Sequence, residues 1–247
     1  MARPTAGEYS VRLLDKRPLL RAHPFFAKMD DAILNQLASR AVTQHVHKST
    51  VLFRKGDIGS RLYLVCAGAV RISAPSEEGK DAILNLITPG EIFGEIALLD
   101  GGERTADAVA IEDSELMIIE RRDFMPLLEQ YSEVAKRLIE ILCSRLRRTS
   151  EQVEDIIFLG LPHRLAKLLL HLHRKSSVGN SRTPIRLTQR DISQMIGVSR
   201  ESANKQLRDW ERRKWLKLER GGVVILAPEA LTKFIEKGIE QGSLYVT

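Results

Sequence analysis

Cysteine is scarce: only Cys66 and Cys143 occur in 247 residues, far apart and with no C-x-x-C. That excludes a disulfide framework and a cysteine cluster for zinc or iron–sulfur, and both thiols are expected in the core. Long apolar runs are missing too. Nothing approaches the roughly 20 residues that span a bilayer, and the first residues carry no apolar signal-peptide stretch, so no membrane contact and a cytoplasmic location are expected. Metal-ligand patterns are thin. His45 and His47 stand two apart, on one face of a strand, with no third ligand near in sequence, and are expected to face solvent. His171 and His173 fall in a helical run, where residues two apart point about 200° from each other, and His23 and His163 are isolated. No metal site is expected.

What is present divides the chain in two. A hydrophobic content of 43% is enough for cores in one large or two medium domains. The net charge of +6 is uneven: residues 161–220 hold 15 Lys/Arg against 5 Asp/Glu, and the rest of the chain is net acidic. A basic module suited to a polyanion is thus joined to a mildly acidic module with another task.

Along the chain, residues 1–20 are expected to be irregular and carry no usable pattern. Ile33, Leu34, Leu37, Ala38 and Ala41 recur at helical spacing behind Asp30 or Asp31, either available as N-cap. From about Val42 to Ile119 the period changes. Short runs rich in Val, Ile and Leu (Thr50–Phe53, Leu62–Val65, Val70–Ser73, Ala82–Ile87, Glu115–Ile119) alternate with the turns Lys55–Asp57, Ala67-Gly68, Ser76–Lys80 and Pro89-Gly90. This predicts an antiparallel β barrel or roll. Residues 121–158 read as helical, with Ala135, Leu138, Leu142, Leu146, Thr149, Val153 and Ile156 forming a narrow seam. Such a seam needs a partner helix, and a second copy of the chain is the simplest one: a parallel homodimer. Gly160 and Pro162 end the helix.

Inside the β region, Phe93–Ala110 reads F-G-E-I-A-L-L-D-G-G-E-R-T-A-D-A-V-A. Backbone N–H groups of a short helical turn at Gly94, Glu95, Ile96 and Ala97, together with the Arg104 fork, suit an anionic phosphate. Thr105 adds a hydroxyl, and Glu95 can accept from a ribose hydroxyl. An ordinary Glu95–Arg104 ion pair beside the Gly-Gly turn fits the same residues.

After a helix at about Pro162–Arg174 and a Ser/Gly/Asn loop at Ser176–Thr183, residues 188–207 meet the demands of a helix-turn-helix. Thr188 caps one helix, Gly197 makes the turn, Ser199 caps the second, and Ile192, Ile196, Val198, Ala203 and Leu207 pack the pair. Candidate DNA contacts are Thr188, Gln189, Ser199, Arg200, Glu201, Asn204 and Lys205, with Arg or Lys suited to guanine and Glu to cytosine. Leu216–Arg220 and Val223–Leu226 flank Gly221-Gly222 as a hairpin wing, and a helix at about Pro228–Glu240 follows.

The run at Gly94, Glu95, Arg104, Thr105 and Ala106 resembles the phosphate-binding cassette of cyclic-nucleotide-binding domains, found in the cyclic-AMP receptor protein (catabolite activator protein) family and in cyclic-nucleotide-dependent kinases. Thr149-Ser150, in R-L-R-R-T-S-E-Q-V, resembles the place on that family's long helix where a Thr and the neighbouring Ser of the two subunits contact adenine. The helix-turn-helix is a third match, with Lys205 standing where the family protein has Arg, and the chain lacks the family's acidic cap near Gly160. The resemblance covers roughly residues 20–226. It implies an α+β protein that is not an enzyme: an N-terminal cyclic-nucleotide-binding β roll (1–131), a long dimerisation helix with its hinge (132–159) and a C-terminal winged helix-turn-helix (160–247). The implied function is a homodimeric transcription regulator that takes cyclic AMP as effector, admits cyclic GMP, binds double-stranded DNA at an inverted repeat and works with RNA polymerase. Thr105 follows Arg104 as in cyclic-GMP-dependent kinases, whose threonine also touches guanine; this is the reason for admitting cyclic GMP.

A family regulator sensing haem gas, an iron–sulfur cluster or an aromatic acid is opposed by the missing cysteine ligands and by the intact Glu95 and Arg104. A cyclic-nucleotide-gated enzyme is opposed by the helix-turn-helix, because nothing after Pro162 offers a catalytic constellation.

Overall fold

The computed structural model describes residues 16–75, 81–176, 185 and 187–240. The chain divides into two compact units, residues 1–143 and 144–247.

In the first unit, helices α1 (Lys16–Ala22) and α2 (Asp31–Arg40) precede strands β1 (Val42–Val46), β2 (Val51–Phe53), β3 (Arg61–Ala67), β4 (Val70–Pro75), β5 (Asp81–Ile87) and β6 (Ile92–Phe93). A short helix α3 (Glu95–Asp100) leads to β7 (Asp107–Ala110) and β8 (Ser114–Glu120), followed by α4 (Arg121–Gln130) and α5 (Ser132–Phe158), which belongs to the second unit from residue 144 onward. The strands make two four-stranded antiparallel sheets, ordered β1-β8-β3-β6 and β2-β7-β4-β5. This is the expected β roll.

Strands β3 and β8 are buried on both faces, and their alternation shows how. Tyr63, Val65, Leu116 and Ile118 join Phe93, Val70 and Ile87 in one core. Leu62, Leu64, Met117 and Ile119 join a second core with Ile33, Leu34 and Leu37 of α2, Phe124 and Leu127 of α4, and Val134 and Leu138 of α5. A strand with two apolar faces reads as an unbroken apolar run, which is how Leu62–Val65 stands out in sequence.

Several expectations are corrected. Lys16–Ala22 is helical, anchored by Leu20, which is fully buried, with Leu19 packed against the same core; seven residues are too few to leave a periodic signal. The helix expected over 121–158 is two helices, parted at Tyr131, whose φ of −122° and ψ of 99° are extended. Pro126 sits inside α4. Strands β6 and β7 were not anticipated because two and four residues are too short to show a period. His47 lies beyond the end of β1, so the two histidines do not share a strand, although both are exposed. Cys66 is half-buried and its burial pushes the thiol up to about 11, whereas Cys143 is exposed rather than in the core. In the proposed seam, Leu138 belongs to the chain's own core and Leu142 packs against it, while Leu146, Val153 and Ile156 are exposed.

The second unit contains α6 (Leu161–Ser176), α7 (Gln189–Ile196), α8 (Arg200–Arg212), the hairpin β9 (Leu216–Glu219) and β10 (Gly222–Ile225), and α9 (Pro228–Glu240). Trp210, Trp215 and Phe234 cluster with ring centroids 5.9–6.1 Å apart. His163 stacks on Phe234 at 4.7 Å, and burial holds its imidazole below the ordinary range. Gly222 begins β10, so the wing turn centres on Gly221, at φ 80°, and not on both glycines. The turn expected at Ser76–Lys80 and most of the loop expected at Ser176–Thr183 lie outside the described residues.

Candidate functional site

The nucleotide cassette is built around α3. Strand β6 delivers Gly94 at φ 80°, a left-handed conformation that glycine adopts without strain. Glu95 opens the helix, 4% exposed, where a carboxylate favours the positive end of the dipole. Ala97 is buried and Ile96 is 45% exposed. Gly101, at φ 74°, closes the helix. At that end, Arg121 of α4 donates from Nε to the Leu98 carbonyl at 2.7 Å and from Nη2 to the Leu99 carbonyl at 3.3 Å, satisfying two terminal acceptors.

Arg104 is 5% exposed, unusual for the residue type. Its backbone is clamped to the loop before β3: Arg104 N donates to the Asp57 carbonyl at 2.8 Å, and Gly56 N donates to the Arg104 carbonyl at 2.9 Å. Its guanidinium donates from Nη1 to the Gly94 carbonyl at 2.7 Å and from Nη2 to the Arg61 carbonyl at 2.9 Å. It also lies over the Phe53 ring, 4.2 Å from the centroid, while Phe53, Tyr63 and Phe93 form one aromatic group. The Nε–H is buried without a partner. Burial lowers the guanidinium's proton affinity, with Tyr63 and Glu95 opposing that effect, and a guanidinium remains charged through such a shift.

A buried cation whose hydrogen bonds run to neutral carbonyls calls for an anion. The donor set, the carboxylate of Glu95 and the backbone of α3 fit a phosphate bonded to a ribose. Thr105 is exposed beside Arg104, and Ala106 is buried. Thr149 and Ser150 are exposed on α5, in its part that belongs to the second unit.

Sequence reading missed Phe53, Arg61 and Arg121. Arg61 acts through its carbonyl, which leaves no mark in residue chemistry. Arg121 had a weak signal, as a basic residue opening a helix where its charge does not favour the dipole.

The candidate nucleic-acid interface is built from α7, α8 and the wing. Thr188 Oγ1 accepts from Asp191 N at 3.1 Å, and Asp191 Oδ2 accepts from Thr188 N at 2.9 Å, a complete capping box. Gly197 at φ 66° makes the turn, and Ser199 Oγ accepts from Ser202 N at 3.1 Å to start α8. Ile192, Ile196, Ala203 and Leu207 are buried between the helices. Arg200, Glu201 and Lys205 are exposed, while Asn204 is half-buried with its Oδ1 unpartnered. Thr188, Gln189 and Arg200 line a cavity of about 440 Å³ with Arg190, Glu219 and the wing glycines. Arg190 is the basic residue here that sequence reading passed over.

Residues 43–131 match the cyclic nucleotide-binding domain family, and residues 163–234 match the Crp-like helix-turn-helix domain family. The chain is 34% identical over 185 residues to the CRP-like cAMP-activated global transcriptional regulator of Mycobacterium tuberculosis, covering 74% of this chain and 83% of that one. It is 37% identical over 157 residues to the Cyclic AMP receptor protein of Thermus thermophilus, covering 63% and 70%. Among solved structures, the c-di-GMP responsive global regulator CLP of Xanthomonas campestris shares the fold at a TM-score of 0.67 and 23% identity, covering 79% of this chain and 99% of that one. The Thermus thermophilus catabolite activator protein aligns at a TM-score of 0.50 and 30% identity, over 87% and 99%. With both domains in this order and such relatives across most of its length, the chain belongs to the CRP/FNR family of transcription regulators and is not an enzyme.

Proposed function

We propose that this regulator binds cyclic AMP in the cassette and, as a homodimer, reads an inverted repeat in double-stranded DNA. The observation that carries this reading is Arg104: a guanidinium 5% exposed, set on a ring of Phe53, with a buried unpartnered Nε–H and the buried carboxylate of Glu95 nearby in the cassette. Arg104 and the N–H groups of Gly94 to Ala97 hold the phosphate, Glu95 accepts from the ribose, and Thr105 adds a hydroxyl. Thr149 and Ser150 supply hydroxyls to adenine. Cyclic AMP is favoured by the relatives named for it, and cyclic GMP competes through Thr105.

Residues 1–131 are the sensor, 132–159 the dimerisation helix and hinge, and 160–247 the DNA reader. The dimer is supported by Leu146, Val153 and Ile156, which are 69%, 51% and 62% exposed on α5 and spaced as a seam. Arg200, Glu201 and Lys205 read base edges, with Thr188, Gln189, Ser199 and Asn204 around them. The cyclic nucleotide biases two arrangements of the long helices and so the spacing of the two readers. The protein works in the cytoplasm with RNA polymerase as partner.

Calorimetry on Arg104→Ala tests the reading. Loss of charged hydrogen bonds to the phosphate weakens cyclic AMP binding by about 1.5–3 kcal/mol. Unchanged affinity would exclude Arg104 as the phosphate ligand.

A further inference from the structure

Gly59 lies in the loop that joins β2 to β3, and it is buried although its neighbours Asp57, Ile58 and Ser60 are exposed. It is not among the glycines with positive φ, so its φ does not call for glycine and the constraint is spatial. A methyl group built on Gly59 would fall well inside van der Waals contact with the Ala97 methyl of α3, and would lie 2.9 Å from Arg104 Nε and 3.0 Å from Arg104 Cζ. The slot left by the missing side chain therefore holds both halves of the cassette: the helix that offers its N–H groups and the arginine that offers its charge.

The surrounding loop fixes this contact. Gly56 N, Asp57 O and the Ile58–Glu103 bridge pair residues 56–58 with residues 103–104. The loop cannot retreat from a new side chain without breaking these bonds. Ala97 is 2% exposed and cannot move outward, and on its other side Arg104 is held by the Gly94 and Arg61 carbonyls and the Phe53 ring.

We propose that Gly59 is a positioning residue of the nucleotide site: its missing Cβ sets the distance between α3 and the Arg104 guanidinium, so that one phosphate reaches both. The proposal rests on cyclic-nucleotide binding at this cassette and adds a residue that makes no contact with the nucleotide through a side chain. Two clashes arise on substitution, and they separate. The one with Ala97 involves a backbone-fixed methyl and shifts the helix. The one with Arg104 involves a side chain that swings away, taking its charge off the phosphate.

The test uses the full chain in four forms, wild type, Gly59→Ala, Ala97→Gly and the double variant, with Ile58→Ser as a control because that side chain is 89% exposed in the same loop. Thermal melting and cyclic AMP calorimetry are measured for each. Gly59→Ala lowers cyclic AMP affinity by about tenfold or more, the cost of 1.4 kcal/mol, and lowers the melting temperature. The double variant melts like Ala97→Gly alone but keeps the weak affinity, because the Arg104 clash persists. Ile58→Ser matches wild type in both. Equal affinity in wild type and Gly59→Ala, equal affinity in the double variant and Ala97→Gly, or an equal loss in Ile58→Ser overturns the proposal. A ligand-free readout separates this from the function itself: the Arg104 Nε–H proton resonance, shifted by the Phe53 ring current, moves toward the free-arginine position in Gly59→Ala. If wild type binds no cyclic AMP, the functional reading fails while this resonance still decides the positioning claim; an unmoved resonance overturns it.

Discussion

Arg104 Nη1 donates to the carbonyl of Gly94 at 2.7 Å, and Gly94 holds φ at 80° as the N-cap that precedes α3. The arginine and the turn that aims the helix N–H groups are thereby one unit, and damage to either reaches the other. Gly94→Ala tests the link. An L-residue in the left-handed region costs about 1–2 kcal/mol, and the new Cβ would stand 2.7 Å from Nη1. Cyclic AMP affinity is expected to fall by about tenfold or more while the strands of the roll keep their far-ultraviolet signature. Full affinity in calorimetry would show that the turn and the arginine are independent.

The cap of α7 provides a second test. Thr188→Ala removes the Thr side of the capping box and frees Asp191 from its hydroxyl partner. Stability of the second unit should drop by about 0.5–2 kcal/mol. Trp210 and Trp215 both lie in that unit, so a denaturation curve followed by their fluorescence reads it selectively. A curve that superimposes on wild type would remove the cap from the account.

How much of this was legible in sequence depends on contact range. The cassette from Gly94 to Ala106 is local, so its glycines, carboxylate and arginine declared themselves. The helix-turn-helix did so as well, since both caps and the turn glycine lie within twelve residues. Phe53, Gly59 and Arg61 reach Arg104 only because the loop before β3 pairs with residues 103–104, and no local pattern encodes that pairing. The break at Tyr131 escaped because a single extended residue between two amphipathic helices does not interrupt the apolar spacing. Leu138 and Leu146 look alike in the seam, yet the first packs on α2 and the roll's core while the second is exposed. Periodicity finds a face; it does not say what covers it.

The exposed part of that seam sets a third expectation. Leu146→Lys places a charge where Leu146 is 69% exposed in the single chain, so the fold of one subunit should tolerate it. In a dimer the same charge meets its copy across the seam and is desolvated. Sedimentation should show wild-type dimers and variant monomers with unchanged melting of the first unit. Two dimers, or two monomers, would refute the seam.

His23 makes the first unit sensitive to acid. It is 6% exposed, its Nδ1 accepts from Phe25 N at 3.3 Å, and burial holds its imidazole below the ordinary 6.5, with Glu91 partly offsetting this. The unfolded chain therefore binds the proton more readily, so the stabilising contribution is complete above about pH 6.5 and is lost as pH falls through the lower folded value. Hydrogen-exchange protection of the roll's core strands should decline between pH 7.5 and 5.5, and His23→Gln should flatten the decline. An equally steep decline in the variant would assign it to another group.

The central claim is that cyclic AMP, held by Arg104, governs DNA reading by the dimer. The most direct measurement titrates cyclic AMP and cyclic GMP into a binding assay on a DNA inverted repeat with half-site centres about 34–36 Å apart, using wild type, Arg104→Ala and Thr149→Ala. Cyclic AMP is expected to raise specific binding by wild type, with cyclic GMP competing. Arg104→Ala should need far more of either nucleotide, and Thr149→Ala should lose its preference for adenine more than its total affinity. Specific binding promoted by cyclic GMP alone, by neither nucleotide, or equally well in Arg104→Ala would contradict the account.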